Sequence, residues 1–291
     1  MADRKEDAQI GILCQAAYFV RGPVTLQPVN VPVPAGWEIR GYFSAQDAIF
    51  RGSDGMSGER VYYGFLAEST ANPGHFIAAL RGTIDMIEWG ENGQFVLKRH
   101  PAAGHVETGF FDIYQTLQLD NMPAVVGICS HVGISGSLTI VGHSLGAAIG
   151  TYLAFDMASV QGTRVRARLF ASPHPGDAAF VAAFDATLAD YVSYAYELDV
   201  VPRVPFGFGY CHLPKMAWLN PKNTEARIRF DLLCHHSMVS YISMLDYAAY
   251  TNAWALDPSC RSCVTEGQTA MSPAAALPGQ DKGHSLPDRN A

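Results

Sequence analysis

Leu138-Thr-Ile-Val-Gly142-His143-Ser144-Leu145-Gly146-Ala-Ala-Ile149 decides how the rest of the chain is read. Ser137–Val141 is a short apolar run bounded by glycines, which predicts a strand. Leu145–Ser159 is a continuous, alanine-rich stretch of helical character. Between them the spacing Gly142-x-Ser144-x-Gly146 predicts a turn so sharp that the positions flanking the serine need residues without side chains. Strain at such a turn pushes the serine hydroxyl out above the sheet. The helix that begins beside it offers backbone N–H groups and a positive dipole end to a developing negative charge. The pattern is that of a nucleophile elbow.

The flanking sequence continues the alternation. Residues 7–20 set Ile10, Leu13, Cys14, Ala17 and Tyr18 at helical spacing, and four prolines between residues 22 and 36 predict an extended connection. Trp37–Phe43, Arg60–Ala67 and His75–Leu80 read as strands, the last two joined by a turn at Asn72-Pro73-Gly74. Downstream, Val165–Ala171 and Tyr191–Leu198 read as strands, and residues 177–190 and Met238–Tyr250 as helices. Such alternation implies parallel strands covered by helices. Residues 1–257 are therefore read as a single α/β domain. Residues 258–291, where Pro, Ser, Gly and charge take over, are read as a flexible tail.

Composition narrows the function classes. The 291 residues are 48% hydrophobic and 16% charged, far from the signature of a disordered chain. With 20 Lys and Arg against 27 Asp and Glu the net charge is −7, and no basic run is present, so nucleic acid is not an expected partner. No segment reaches the about 18 apolar residues of a membrane span. The charged start, Met1–Asp7, is followed by no apolar run of signal-peptide type, which predicts a cytoplasmic protein or one exported without a cleaved leader. The six cysteines are sparse and irregular and read as free or buried thiols, with Cys260-x-x-Cys263 as a local disulfide at most. Cys211, His212, Cys234 and His235 match no usual zinc spacing, so neither a metal nor a cofactor is expected.

A serine hydroxyl becomes a useful nucleophile only when a histidine accepts its proton and a carboxylate holds that histidine. The chain order for an elbow serine is Ser, acid, His. Asp199 follows the strand Tyr191–Leu198 and precedes Pro202 and Pro205, which stop further strand. Asp177 reads as a helix N-cap and Asp156 as lying inside the helix after Ser144, facing away. His235 and His236 both precede the last helix, which Ser237 can cap. His236, one residue outside that cap, is preferred. Two oxyanion donors are expected, the Leu145 N–H and Thr83. Thr83 follows the apolar strand that ends in Leu80-Arg-Gly82 and offers both N–H and O–H.

These pieces, in this order, resemble the class 3 lipases, α/β-hydrolase enzymes of fungal triacylglycerol-lipase type with bacterial relatives. The resemblance rests on Leu80-Arg-Gly-Thr83, Ile87-Glu-Trp89, Val106-x-x-Gly109-Phe110 and Val141-Gly-His-Ser-Leu-Gly146. It continues through Phe170-Ala-Ser-Pro-His-Pro-Gly176-Asp177, Asp199-Val-Val-Pro202-Arg-Val-Pro205, Gly209-Tyr210-Cys-His212 and His236-Ser-Met-x-x-Tyr241. Glu107 stands where the family commonly has histidine, and His174 where arginine is frequent. Both departures bear on specificity rather than on the serine, acid and histidine. The resemblance implies an α/β-hydrolase fold, a mostly parallel sheet with helices on both faces. It also implies a carboxylic-ester hydrolase of lipids that works through an acyl-serine without a cofactor.

A carboxylesterase or a phospholipase would use the same three side chains, and a non-catalytic hydrolase-fold scaffold is the remaining alternative. The apolar residues Ile84, Met86, Ile87, Trp89 and Phe95 beside the oxyanion strand read either as a flap that makes transient contact with a lipid interface or as a helix packed on the core.

Overall fold

The computed structural model describes residues 3–20, 22–25, 28, 30–46, 59–83, 95–133, 136–160, 162–207, 209–256 and 263–266. The chain opens with helix α1 (Arg4–Ala17), capped by the Asp3 carboxylate, and enters strands β1 (Trp37–Gln46), β2 (Arg60–Ser69) and β3 (His75–Leu80). A short pair, β4 (Leu97–Arg99) and β5 (His105–Glu107), leads to α2 (Thr108–Gln115). Next come β6 (Gln118–Leu119), β7 (Met122–Pro123) and α3 (Ala124–Val132). Then follow β8 (Ser137–His143), α4 (Leu145–Ala158), β9 (Arg164–Phe170), α5 (Ala178–Thr187), β10 (Tyr191–Tyr196) and β11 (Met216–Leu219). The last elements are β12 (Ala226–Ile228), α6 (Leu232–His235), α7 (Met238–Leu245), α8 (Tyr247–Leu256) and β13 (Val264–Glu266).

Nine strands form one sheet in the order β11-β10-β9-β8-β3-β2-β1-β6-β7. From β3 to β11 every pairing is parallel, as the alternation of strand and helix implies, and from β3 to β7 every pairing is antiparallel. Successive residues of a strand face opposite sides. In β3, Ala78 and Leu80 join the core shared with α2, α4 and α5. Ile77 and Ala79 join the core shared with α1, α7 and α8. Helices thus cover both faces of an α/β-hydrolase sheet, and the turns at the C-terminal ends of β3, β8 and β10 lie along one edge of it.

Three expectations need correction. The helix read over Met238–Tyr250 is two helices that part at Asp246, whose carboxylate accepts the Ala248 N–H. Val264–Glu266 lies inside the stretch read as a flexible tail, yet it pairs with β12. Cys263 beside it is joined to Cys234 in a disulfide, which overturns the reading of these thiols as free or locally paired. The remainder of that tail lies outside the described residues. So does the flap segment from Ile84 to Trp89; Phe95, at its far end, is partly buried against the core. Among the described residues no helix is long and apolar enough to cross a membrane.

One buried ion pair ties α1 to the parallel strands. The Asp7 carboxylate accepts Arg168 Nε at 2.5 Å and the Tyr194 hydroxyl at 2.5 Å, and Arg168 also reaches Asp190 at 2.9 Å. Removing one partner of a buried pair strands the other charge, at a cost of about 3 kcal/mol or more. Asp7→Asn is therefore expected to lower unfolding free energy by about 3 kcal/mol in chemical denaturation, and a loss under about 1 kcal/mol contradicts this account.

Candidate active site

Ser144 stands between β8 and α4 with φ 60° and ψ −129°, a backbone conformation that side chains rarely adopt. Its three glycine neighbours explain why the turn holds. A Cβ on Gly142 would lie 2.3 Å from the Gly146 carbonyl oxygen, and one on Gly146 would lie 2.4 Å from that of Leu80. A Cβ on Gly82 would meet the Ser144 Cβ at 2.7 Å. The strand-to-helix turn and the loop after β3 are thus pressed together at the serine, with no room for side chains between them. The Ser144 N–H is anchored on the Phe170 carbonyl at 2.9 Å. Leu145 is the first residue of α4, where N–H groups have no partner within the helix.

Ser144, His236 and Asp199 are joined by hydrogen bonds. His236 Nδ1–H donates to Asp199 Oδ2 at 2.8 Å, which leaves Nε2 as the acceptor facing Ser144 Oγ, also at 2.8 Å. Asp199 is buried at the end of β10. Its Oδ1 accepts the Val201 N–H at 3.0 Å, and its Oδ2 accepts the Tyr241 hydroxyl at 2.7 Å. Burial and the adjacent carboxylate hold the Tyr241 phenol far above its ordinary pKa, so it remains a donor. His236 terminates the single turn α6, its N–H held by the Leu232 carbonyl at 3.1 Å. Ser237 occupies the N-cap of α7 as expected from sequence, but its hydroxyl makes no capping bond. His235 faces away; its ring packs against Tyr196 and Phe230. Asp177 caps α5 through the Phe180 N–H, and Asp156 bonds the Tyr114 hydroxyl, so neither belongs to this relay.

Thr83 is partly buried and follows Gly82 in the loop that crosses the serine. Arg81 fixes that loop: its guanidinium donates to the carbonyls of Val20, Gly82 and Tyr62 at 3.0, 2.7 and 2.8 Å. Tyr18, which the sequence places on the apolar face of the opening helix, caps α1 instead. It bridges the loop and the elbow: its oxygen accepts the Gly82 N–H at 3.1 Å, and its hydroxyl donates to His143 Nδ1 at 2.5 Å. The His143 ring is buried and packs on His236, with centroids 4.7 Å apart. Burial, reinforced by the neighbouring His236, pushes the His143 pKa well below its ordinary value, so this second histidine stays neutral. Tyr18→Phe leaves the Gly82 N–H and His143 Nδ1 without this partner. It is expected to lower kcat by about tenfold, near 1.4 kcal/mol, with little change in KM. Steady-state kinetics checks it, and rates within about twofold of the parent would refute this positioning role.

His174 and His212 pair with each other, Nε2 to Nε2 at 3.2 Å, and His174 Nδ1–H donates to the Pro205 carbonyl at 3.0 Å. Burial depresses both, and together with His174 and Arg203 it takes His212 down to about 4. His100 is likewise lowered by burial. Each of these, like His143, has a folded pKa below its unfolded value, so the unfolded chain takes up protons first as pH falls below about 6.5. Their stabilising contribution is complete above that pH and declines from there toward about 4. The denaturation midpoint is expected to fall from pH 8 to pH 5, by the known linkage of protons to folding, and a flat profile would contradict these environments.

Comparison with known proteins finds a family that part of the chain resembles. Residues 77–208 match the family described as Lipase (class 3). The chain is similar to this family over that stretch. The match begins in β3, spans the elbow and Asp199, and ends before His236. The secreted mono- and diacylglycerol lipase A of Penicillium cyclopium is 26% identical over 184 residues, which cover 61% of this chain and 58% of that protein. Phospholipase A1-II 6 of Oryza sativa subsp. japonica is 27% identical over 165 residues, covering 44% of this chain and 40% of that protein. The chain thus spans less than two thirds of the length of these relatives. The solved structure of Rhizomucor miehei triacylglyceride lipase shares the fold, with a TM-score of 0.60 over 77% of this chain and 83% of that one, at 18% identity.

Proposed function

We propose that the chain is a serine hydrolase that cleaves carboxylic esters of lipids through an acyl-serine intermediate. The observation that carries this reading is the run of hydrogen bonds from Asp199 through His236 to Ser144, each 2.8 Å long, at an elbow of rare backbone geometry. Ser144 Oγ attacks the ester carbonyl while His236 Nε2 takes its proton, and Asp199 holds the resulting imidazolium. The carbonyl oxygen, now negative, is met by the Leu145 N–H and Thr83, and donors of this kind contribute about 3 kcal/mol each. The tetrahedral adduct collapses, breaking the ester C–O bond, and His236 hands the proton to the leaving alkoxide. Water, deprotonated by His236, attacks the acyl-serine, releases the acid and restores the hydroxyl.

Glycerolipids are the substrate class, with acylglycerols favoured by the lipase relatives in fungi and a phospholipid ester by the phospholipase relative in rice. A panel of p-nitrophenyl esters of rising acyl length, run beside emulsified acylglycerols and phospholipid, tests the reading. Hydrolysis of short soluble esters together with at least one lipid is expected. Turnover of soluble esters alone would make the chain a carboxylesterase, and no ester turnover at all would leave only the scaffold.

A further inference from the structure

Two histidines outside the serine relay stand in an arrangement that a hydrogen bond explains poorly. His174 Nε2 and His212 Nε2 are 3.2 Å apart, while the ring centroids are only 4.1 Å apart and the planes are tilted by 65°. A head-on N–H···N bond of that length would hold the ring centres much farther apart, so the two nitrogens meet side-on. Two nitrogens on one tetrahedral ion, each about 2.0–2.1 Å from it, are separated by about 3.3 Å. The observed gap matches that bite. The two residues are 38 positions apart, so no local spacing in the sequence reveals them as a pair.

The fold sets both rings in place. An antiparallel bridge between Gly176 and Cys211 brings the loop after β9 against the segment that leads into β11. The His174 N–H donates to the Val204 carbonyl at 2.8 Å, and its Nδ1–H donates to the Pro205 carbonyl at 3.0 Å. The second bond fixes the tautomer and leaves Nε2 as a bare lone pair, which is how a backbone carbonyl orients a metal-binding imidazole. Burial lowers the pKa of both rings, and for His212 the charges of His174 and Arg203 add to it, so protons do not compete for these nitrogens at pH 7. His212 is exposed, which opens the pair to solvent. Among the described residues no third His, Cys, Asp or Glu completes a ligand group, so water fills the other positions. Arg203 lies 5.3 Å from the Trp218 ring centre and donates to the Glu197 carbonyl at 3.1 Å. A cation so placed opposes Ca²⁺ and Mg²⁺, which need oxygen ligands, and leaves the ions that imidazole nitrogen binds strongly.

We infer that His174 and His212 form a two-histidine site for a divalent transition-metal ion of the Zn²⁺ and Cu²⁺ class. The ion bridges the two Nε2 atoms and ties the loop after β9 to the segment before β11. Each neutral ring then carries its proton on Nδ1 and gives the Nε2 lone pair to the ion, so binding at pH 7 releases no proton from this pair. The ion takes no part in the ester chemistry, and the inference does not depend on the hydrolase reading.

The test is titration of Cu²⁺ into the full chain at pH 7, in a buffer that does not bind metal, followed by tryptophan fluorescence and electron paramagnetic resonance. The Trp218 ring lies 6.1 Å from that of His212, close enough for bound Cu²⁺ to quench it. One ion per chain is expected, with two nitrogen ligands in its spectrum and with displacement by excess Zn²⁺. His174→Gln and His212→Gln are each expected to weaken binding at least about tenfold. Trp218→Phe is expected to bind as the parent does and to lose most of the quench. Circular dichroism checks that each variant is folded; should His174→Gln fail to fold, His212→Gln, at the exposed position, decides alone. A parent without saturable binding, a spectrum with a single nitrogen, or a His212→Gln chain that binds as tightly as the parent overturns the site. Binding that survives the histidine substitutions and is lost in Cys211→Ser places the ion on that thiol and overturns it as well. None of these readouts uses ester turnover, so failure of the hydrolase reading leaves the result standing.

Discussion

Replacing Ser144 by alanine is expected to lower ester turnover by a factor on the order of 10⁶ while the chain stays folded. The factor is large because the three side chains act as a unit: without Oγ, His236 has no proton to accept at the carbonyl carbon. The fold should tolerate the change for a local reason. The hydroxyl bonds His236 Nε2 at 2.8 Å, whereas the strained turn is held by backbone bonds such as Ser144 N–H to Phe170. Alanine keeps the Cβ that packs over Gly82, so the thermal midpoint should move by no more than the equivalent of about 1 kcal/mol. Rates for a soluble ester are measured under single-batch conditions beside the parent and a mock purification. Activity within about tenfold of the parent removes Ser144 from the mechanism.

Asp199→Asn is expected to cost about 10⁴-fold in kcat with KM little changed. The native carboxylate accepts three donors, the His236 ring, the Tyr241 hydroxyl and the Val201 N–H, and offers none. An asparagine in the same volume has one oxygen and one NH₂. With its oxygen kept on the Val201 N–H, the NH₂ takes the Oδ2 position, faces His236 Nδ1 together with the Tyr241 hydroxyl, and forces the ring into the tautomer that carries its proton on Nε2. That nitrogen then points a hydrogen at Ser144 and can no longer take the serine's proton. A loss below about tenfold would show that the carboxylate is not what sets the tautomer.

The elbow was legible in the sequence because its chemistry is local. Gly142, Ser144 and Gly146 lie within five residues, and the clash that forbids a Cβ at Gly142 is with Gly146 of the same turn. Asp199 and His236 were legible because each sits where a strand or loop meets a break in pattern, and the two side chains do lie within hydrogen-bond reach of each other. The supporting groups were not. Tyr241 falls on the apolar face of α7 and serves the core with its ring and the site with its hydroxyl, and Tyr18, at the end of an amphipathic run, sets its ring against His143 and its hydroxyl between His143 and the Gly82 N–H. Periodicity reports only the first role.

Long-range pairings were equally hidden. Cys234 and Cys263 are 29 residues apart, and with six cysteines the spacing prefers no partner. Val264–Glu266 is a strand only because β12 lies beside it; its own neighbourhood, rich in Pro, Ser and Gly, argues for a tail. The antiparallel half of the sheet ends in two-residue strands, β6 and β7, too short to show alternation. The parallel strands β3, β8, β9 and β10, which helices of eight or more residues separate, were readable for the opposite reason, whereas β11, reached from β10 without an α-helix, was not.

The central claim is that Ser144, activated by His236, is the group that becomes acylated. Incubation with an alkyl fluorophosphonate, followed by intact mass and peptide mapping, tests it directly. The account predicts one adduct per chain, on the peptide that carries Ser144, absent from Ser144→Ala and formed far more slowly by His236→Ala. A parent chain that takes up no adduct, or one that carries it on another serine, would contradict the account.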